Sequence, residues 1–158
     1  MSRLQALPLV SSGTCTAQAD KVMTDLSDND LAKSWVEFVR RLDPETGDLD
    51  DTAYAELEGG GDWAVDLLLG YSLEDPEKAY RVILIIAGLS NDEWTLASAA
   101  AGPLETIIRN NPREFIPRLA HDLTSNPNIG VLVNNLWLPD LSADLGRELD
   151  HLRGKRQS

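Results

Sequence analysis

Leu31, Trp35, Phe38, Val39 and Leu42 recur at spacings of three and four, while Lys33, Glu37, Arg40 and Arg41 fall mainly between them. That pattern predicts an amphipathic helix with one buried face. Ser27 stands before it as a cap for the backbone N–H of Asp30, and acids at 28 and 30 suit the positive end of the helix dipole. Pro44 and Gly47 break the period, so Asp43 to Asp51 reads as a loop. A short helix is expected over Thr52 to Leu57, ahead of Gly59-Gly60-Gly61. Asp62 then caps a helix whose apolar stripe is Trp63, Leu67, Leu68 and Tyr71.

Asp75-Pro76-Glu77 is a strong start signal: a cap, a proline in the first helical position, then an acid. The segment after it is apolar nearly all round, through Tyr80, Val82, Ile83, Leu84, Ile85, Ile86 and Leu89, as a buried central helix requires. Its β-branched run also suits a buried strand, but the cap and Glu77-Lys78-Ala79 decide for helix. Ser90 and Glu93 have capping-box spacing for the helix that follows. Ala97, Ala99, Ala100 and Ala101 would let a neighbour approach closely, and Gly102-Pro103 should kink or break the helix before it resumes at Leu104. Asn111-Pro112 and Asn126-Pro127 repeat the cap-then-proline signal, and Pro117 should make the intervening helix kink or start late. A last helix is expected from Ser142 to about Arg153, followed by a basic tail over 154–158 with Lys155 and Arg156.

These elements make an all-α fold: one compact domain over 27–153 of about six to seven helices, kinked at Gly102-Pro103, with stacked antiparallel, HEAT-like pairs as a variant. Residues 1–26 are expected to be a loosely docked segment with a short helix over 17–26. Trp35, Trp63, Trp94 and Trp137 are expected mostly in the core, so that one found on the surface would mark a contact site.

Charge sharpens the picture. Residues 1–79 hold 17 acids and 6 bases, whereas residues 80–158 hold 9 and 8, so nearly all of the net charge of −12 lies in the first half. Between Arg41 and Lys78 there are 12 acids and no base. Such a block repels phosphate backbones and anionic lipid and attracts a basic partner; its plainer role is a solvated face. The candidate partner-binding acids are Asp43, Glu45, Asp48, Asp50, Asp51, Glu56, Glu58, Asp62 and Asp66.

Candidate chemistry is sparse. His121 and His151 have no metal-ligand spacing, and Cys15 has no histidine nearby to activate it. The triple glycine is flanked by Glu58 and Asp62, which would repel phosphate. The acids from Asp43 to Asp51 do not fit a calcium loop, because the register from Asp43 puts Asp48 and Tyr54 where glycine and a bidentate acid are needed. Starting from Asp48 puts Ala53 and Gly59 there. No catalytic residue, cofactor or metal site is therefore expected, and carboxylates alone, chiefly Glu105, Asp62 and Asp66, would have to run any reaction. Direct nucleic-acid binding is disfavoured by charge. A lone cysteine and no long apolar run predict a soluble cytoplasmic protein without a membrane span.

Asp75-Pro76-Glu77-x-Ala79-Tyr80, Ala101-Gly102-Pro103-Leu104-Glu105, Glu114-Phe115-Ile116 and Asn135-Leu136-Trp137 together resemble a bacterial helical domain of unknown function with a D-P-E-x-A-W/Y and A-A-G-P-L-E signature. The resemblance covers Asp75 to about Pro139, with Tyr80 where tryptophan is frequent, and it implies no catalytic residue. Within it, Glu105 is expected to cap or salt-bridge a new helix start rather than to stand at a pocket mouth. The function expected is a non-enzymatic acidic binding protein of the immunity or antitoxin type, occluding a basic bacterial toxin or effector. The alternative is a helical adaptor or scaffold that binds a peptide or protein in a groove, told apart by surface tryptophans.

Overall fold

The computed structural model describes residues 27–43 and 63–157, with side chains as far as Arg153. The segment over 1–26, the loop and short helix expected over 44–61, the Asp62 cap and Cys15 lie outside the described residues. Within them the chain is helical: α1 Asp28–Arg41, α2 Trp63–Glu74, α3 Pro76–Leu89, α4 Glu93–Ala99, a π turn Ala100–Leu104, α5 Glu105–Asn110, α6 Pro112–Leu123, α7 Asn128–Asn134 and α8 Ala143–Gln157. Among the described residues there is no strand, and the fold is the compact all-α domain that the periodicity predicts.

The start signals at Ser27 and Asp75 act where they were expected, whereas Asn111 makes no side-chain cap bond to α6 and α7 opens after Pro127 rather than on it. Ser27 Oγ accepts the N–H of Asp30 at 3.0 Å, and Asp75 Oδ1 accepts that of Lys78 at 3.3 Å with Pro76 opening α3. The capping box does not form: Asp92, two residues later, caps α4 by accepting Thr95 N–H at 3.0 Å, and Ser90 Oγ instead accepts Asp92 N–H. A carboxylate next to the first turn outcompetes a hydroxyl two residues away.

α3 is the hub. It packs against α1, α2, α4, the π turn, α5 and α7, and Tyr80, Val82, Ile83 and Ile86 are inaccessible to solvent. Leu89, in its last turn, is exposed rather than part of the core. Leu31, Trp35, Phe38 and Val39 of α1 face it as predicted, and α8 closes the C-terminal side against α6 and α7 with Leu145, Leu149 and Leu152. α8 continues to Gln157, so the expected tail carries Lys155 and Arg156 on helical backbone.

Gly102-Pro103 does not break the helix. Proline removes one amide donor and crowds the preceding turn. The chain accommodates it by widening to a π turn, in which the Glu105 N–H donates to the carbonyl of Ala100, five residues back. A Cβ at Gly102 would meet nothing within 4 Å, so the glycine is not there for a close helix crossing. Its use is conformational: a residue before proline holds helical angles poorly when it carries a Cβ. The close packing falls to Ala99 and Ala100, both fully buried. Pro117 is likewise carried inside α6 without ending it.

Two charged links tie α1 to α3: Lys78 Nζ and Arg81 Nε reach the two oxygens of Asp28 at 2.7 and 3.2 Å. Burial alone would raise the Asp28 carboxyl, but the hydrogen bonds and charges of Lys78 and Arg81 outweigh it and hold the group below its ordinary 3.8. A depressed carboxyl stabilises the fold above its unfolded pKa, and that contribution fades as pH falls through the lower folded value. The melting gap between wild type and Asp28→Asn should therefore be open near neutral pH and close in the acid range below about pH 4. A gap that stays constant through that range would show that the ion pairs contribute nothing.

Candidate functional site

Glu105 follows the π turn directly, and the extra residue in that turn advances the following side chains by about 100° around the helix axis. Glu105 is buried, at 8% exposure, and its carboxylate accepts the backbone N–H of Trp137 at 2.8 Å. Its second oxygen stands 3.7 Å from Arg109 Nη2, one turn on. The salt link expected for Glu105 is thus present. The expected new helix start is not, since the chain is helical on both sides of the residue. What the carboxylate holds is the segment between α7 and α8.

That segment is gripped from its other side by α8. Arg153 Nη2 donates to the carbonyl of Leu136 at 2.6 Å, Nε to the carbonyl of Val133 at 3.3 Å, and Nη1 to Asp150 at 2.8 Å. The carbonyl of Leu136 and the N–H of Trp137 belong to one peptide unit. A carboxylate therefore takes its donor while a guanidinium takes its acceptor, and charge-assisted bonds of this kind are about twice as strong as neutral ones. Leu136 points its side chain into the core, at 4% exposure, while Trp137 is 71% exposed, the most exposed large hydrophobic residue described. No hydrogen bond is made by its indole among the described residues.

An open groove of about 460 Å³ runs beside this tryptophan, between the Trp137–Ala143 segment and α8, and Trp137, Leu138, Pro139, Leu149, Arg147 and Arg153 are among its walls. A second, of about 600 Å³, lies between α6 and α8 over Ile116, Ala120, Leu145 and Leu152. Arg113 and Asp144, 3.8 Å apart, are both on its rim. The Ser142 hydroxyl, with the backbone N–H groups of Asp144 and Leu145 and the charge of Arg113, holds the Asp144 carboxyl below its usual range. His151 lines this groove and is exposed.

The tryptophans divide against expectation. Trp35 is buried at 3%, but Trp63, Trp94 and Trp137 are 42%, 37% and 71% exposed. Trp94 is nonetheless committed, its indole donating to the carbonyl of Val39 at 3.0 Å. Trp137 departs from the expectation because apolar character alone cannot separate a core residue from a presented one. The signal present was local: Trp137 lies in Leu-Trp-Leu-Pro-Asp, whose proline ends any helical period.

The acidic candidates are not brought together by the described structure. Asp43 is buried, at 6% exposure, and so is not part of an acidic surface. Asp66 is exposed on α2, and Glu45, Asp48, Asp50, Asp51, Glu56, Glu58 and Asp62 lie outside the described residues. Glu74, Asp75 and Glu77 are exposed where α2 meets α3, with Glu77 paired to Arg118. Among the described residues no three His, Cys, Asp or Glu side chains are grouped to hold a metal ion, and no helix is long and apolar enough to cross a membrane.

An exchange of Glu105 for Gln keeps an acceptor for the Trp137 N–H but removes the charge. Glu105→Gln should cost about 1 kcal/mol, and Glu105→Ala, which strands a buried donor, about 1–3 kcal/mol. Equal melting temperatures for the two variants would show that the carboxylate does not hold the segment.

Residues 53–156, more than half of the chain, match the family described as a family of unknown function (DUF6869), and the chain belongs to that family. No curated protein and no solved structure matches it.

Proposed function

We propose that this member of the DUF6869 family is a non-catalytic protein-binding module that engages its partner through Trp137. The observation that supports the reading is a 71% exposed tryptophan whose own peptide unit is clamped by Glu105 and Arg153. An exposed indole is costly to leave in water, and tryptophan is among the residues that dominate interface energies. Fixing it before binding removes much of the ordering cost that association otherwise carries. The reading is that of an adaptor or scaffold rather than an enzyme. Its test is a photo-crosslinking amino acid at position 137 in the native host, with the same group at exposed Arg113 as control. A discrete protein adduct from position 137 alone is the expected result, and adducts from neither position would sink the proposal.

The inhibitor reading keeps one observation in its favour: Asp66 is exposed in the first turn of α2, and Glu74 and Asp75 are exposed at the α2–α3 junction, all within the 12-acid interval. In that reading a basic bacterial toxin or effector is captured by electrostatic steering, and binding weakens with salt. Asp66→Lys should then slow association about tenfold at low salt, with little effect at high salt. An unchanged association rate would remove the acidic face from the interface.

A further inference from the structure

Among the described residues, the groove beside Trp137 carries one charge that has no ion-pair partner. Three charged side chains line it: Arg147, Asp150 and Arg153. Asp150 is taken by Arg153, which also donates to the carbonyls of Val133 and Leu136. Arg147 is exposed and makes no ion pair or hydrogen bond among the described residues. In a chain of net charge −12, this groove is therefore locally positive, with apolar side chains along one part of a mixed wall.

We infer that the occupant of this groove is a linear segment of a partner protein that places a large apolar side chain against Trp137 and an Asp or Glu carboxylate on Arg147. This rests on the protein-binding reading above and specifies the partner for the same site. The apolar requirement comes from Trp137, Leu138, Pro139 and Leu149, which offer no charge. The acidic requirement comes from Arg147, whose planar guanidinium matches a carboxylate with two parallel hydrogen bonds. A basic segment is excluded by repulsion from Arg147, and an uncharged one leaves its charge half-covered and unpaired. The groove is open rather than enclosed, so a segment passes along it.

A displayed library of random linear peptides, selected on the full chain, tests this directly. Wild type should select peptides with Leu, Phe or Trp near an Asp or Glu, and Trp137→Ala should abolish their binding. Arg147→Glu should weaken the same peptides about tenfold and, selected afresh, should favour Lys or Arg in place of the acid. Peptides that depend on Trp137 but show no acidic preference, and that bind Arg147→Glu as well as wild type, would overturn the inference and leave Trp137 as a contact residue. Selected peptides that are indifferent to Trp137→Ala would overturn both.

Discussion

Trp137→Ala is expected to weaken partner binding by about 30- to 1000-fold while leaving thermal melting almost unchanged. The two halves of that result have separate causes. Stability depends on area removed from water, and a side chain that is 71% exposed has little to lose. Binding depends on what the partner buries, and an indole presented on a clamped peptide unit brings its full apolar area at little entropic cost. Trp35→Ala is the matched control: at 3% exposure it should cost about 3–5 kcal/mol of stability and affect binding only through unfolding. Paired melting and affinity measurements on both variants check the assignment. A large drop in melting for Trp137→Ala would mean that the indole is covered in solution, and the proposed contact would be withdrawn.

An equally large effect on stability is expected at Phe115. Its ring is fully buried, 5.2 Å from that of Tyr80, and the Arg118 guanidinium lies over both rings at 5.0 and 4.7 Å. Arg118 pairs in turn with Glu77, and the Tyr80 hydroxyl donates to Asp122 at 2.6 Å. Burial, and then the hydrogen bond and charge of Asp122, push the Tyr80 phenol well above its usual range, so it remains a neutral donor. Phe115→Ala leaves a cavity where α3 meets α6 and strips Arg118 of half its aromatic support. The expected cost is about 3–5 kcal/mol, against about 1 kcal/mol for Phe115→Leu, which refills most of the volume. Urea unfolding of the two variants gives the comparison. A loss below about 1 kcal/mol for the alanine would show that the α3–α6 contact can collapse around the hole.

Both predictions rest on pairs made from the segments that carry the sequence resemblance. Tyr80, from Asp75-Pro76-Glu77-x-Ala79-Tyr80, meets Phe115 from Glu114-Phe115-Ile116. Glu105, from Ala101-Gly102-Pro103-Leu104-Glu105, holds the N–H of Trp137 from Asn135-Leu136-Trp137. One pair is aromatic and fills the core; the other is polar and presents a surface residue. Four motifs that look separate along the chain are two contacts in space.

What the sequence by itself determined is local in origin. Helix starts at Ser27 and Asp75 follow from a side-chain acceptor reaching an amide three residues on, and the buried face of α1 follows from the three-and-four spacing of its apolar residues. The all-α class followed from summing such signals. Tertiary structure decided the rest, because the competing local options differ by little and distant groups choose among them. The spacing of Ser90 and Glu93 predicts a capping box, and the Asp92 carboxylate takes the cap instead. Gly102-Pro103 could have ended a helix in isolation, yet packing of the flanking turns against α2 and α3 kept it helical through a π turn. That turn set the rotation of Glu105, and only the fold brought its carboxylate to an amide 32 residues away. Whether Trp137 is buried or presented depends on that contact and on Arg153, neither of which leaves a periodic trace, since hydrogen bonds between distant segments impose no spacing on the chain.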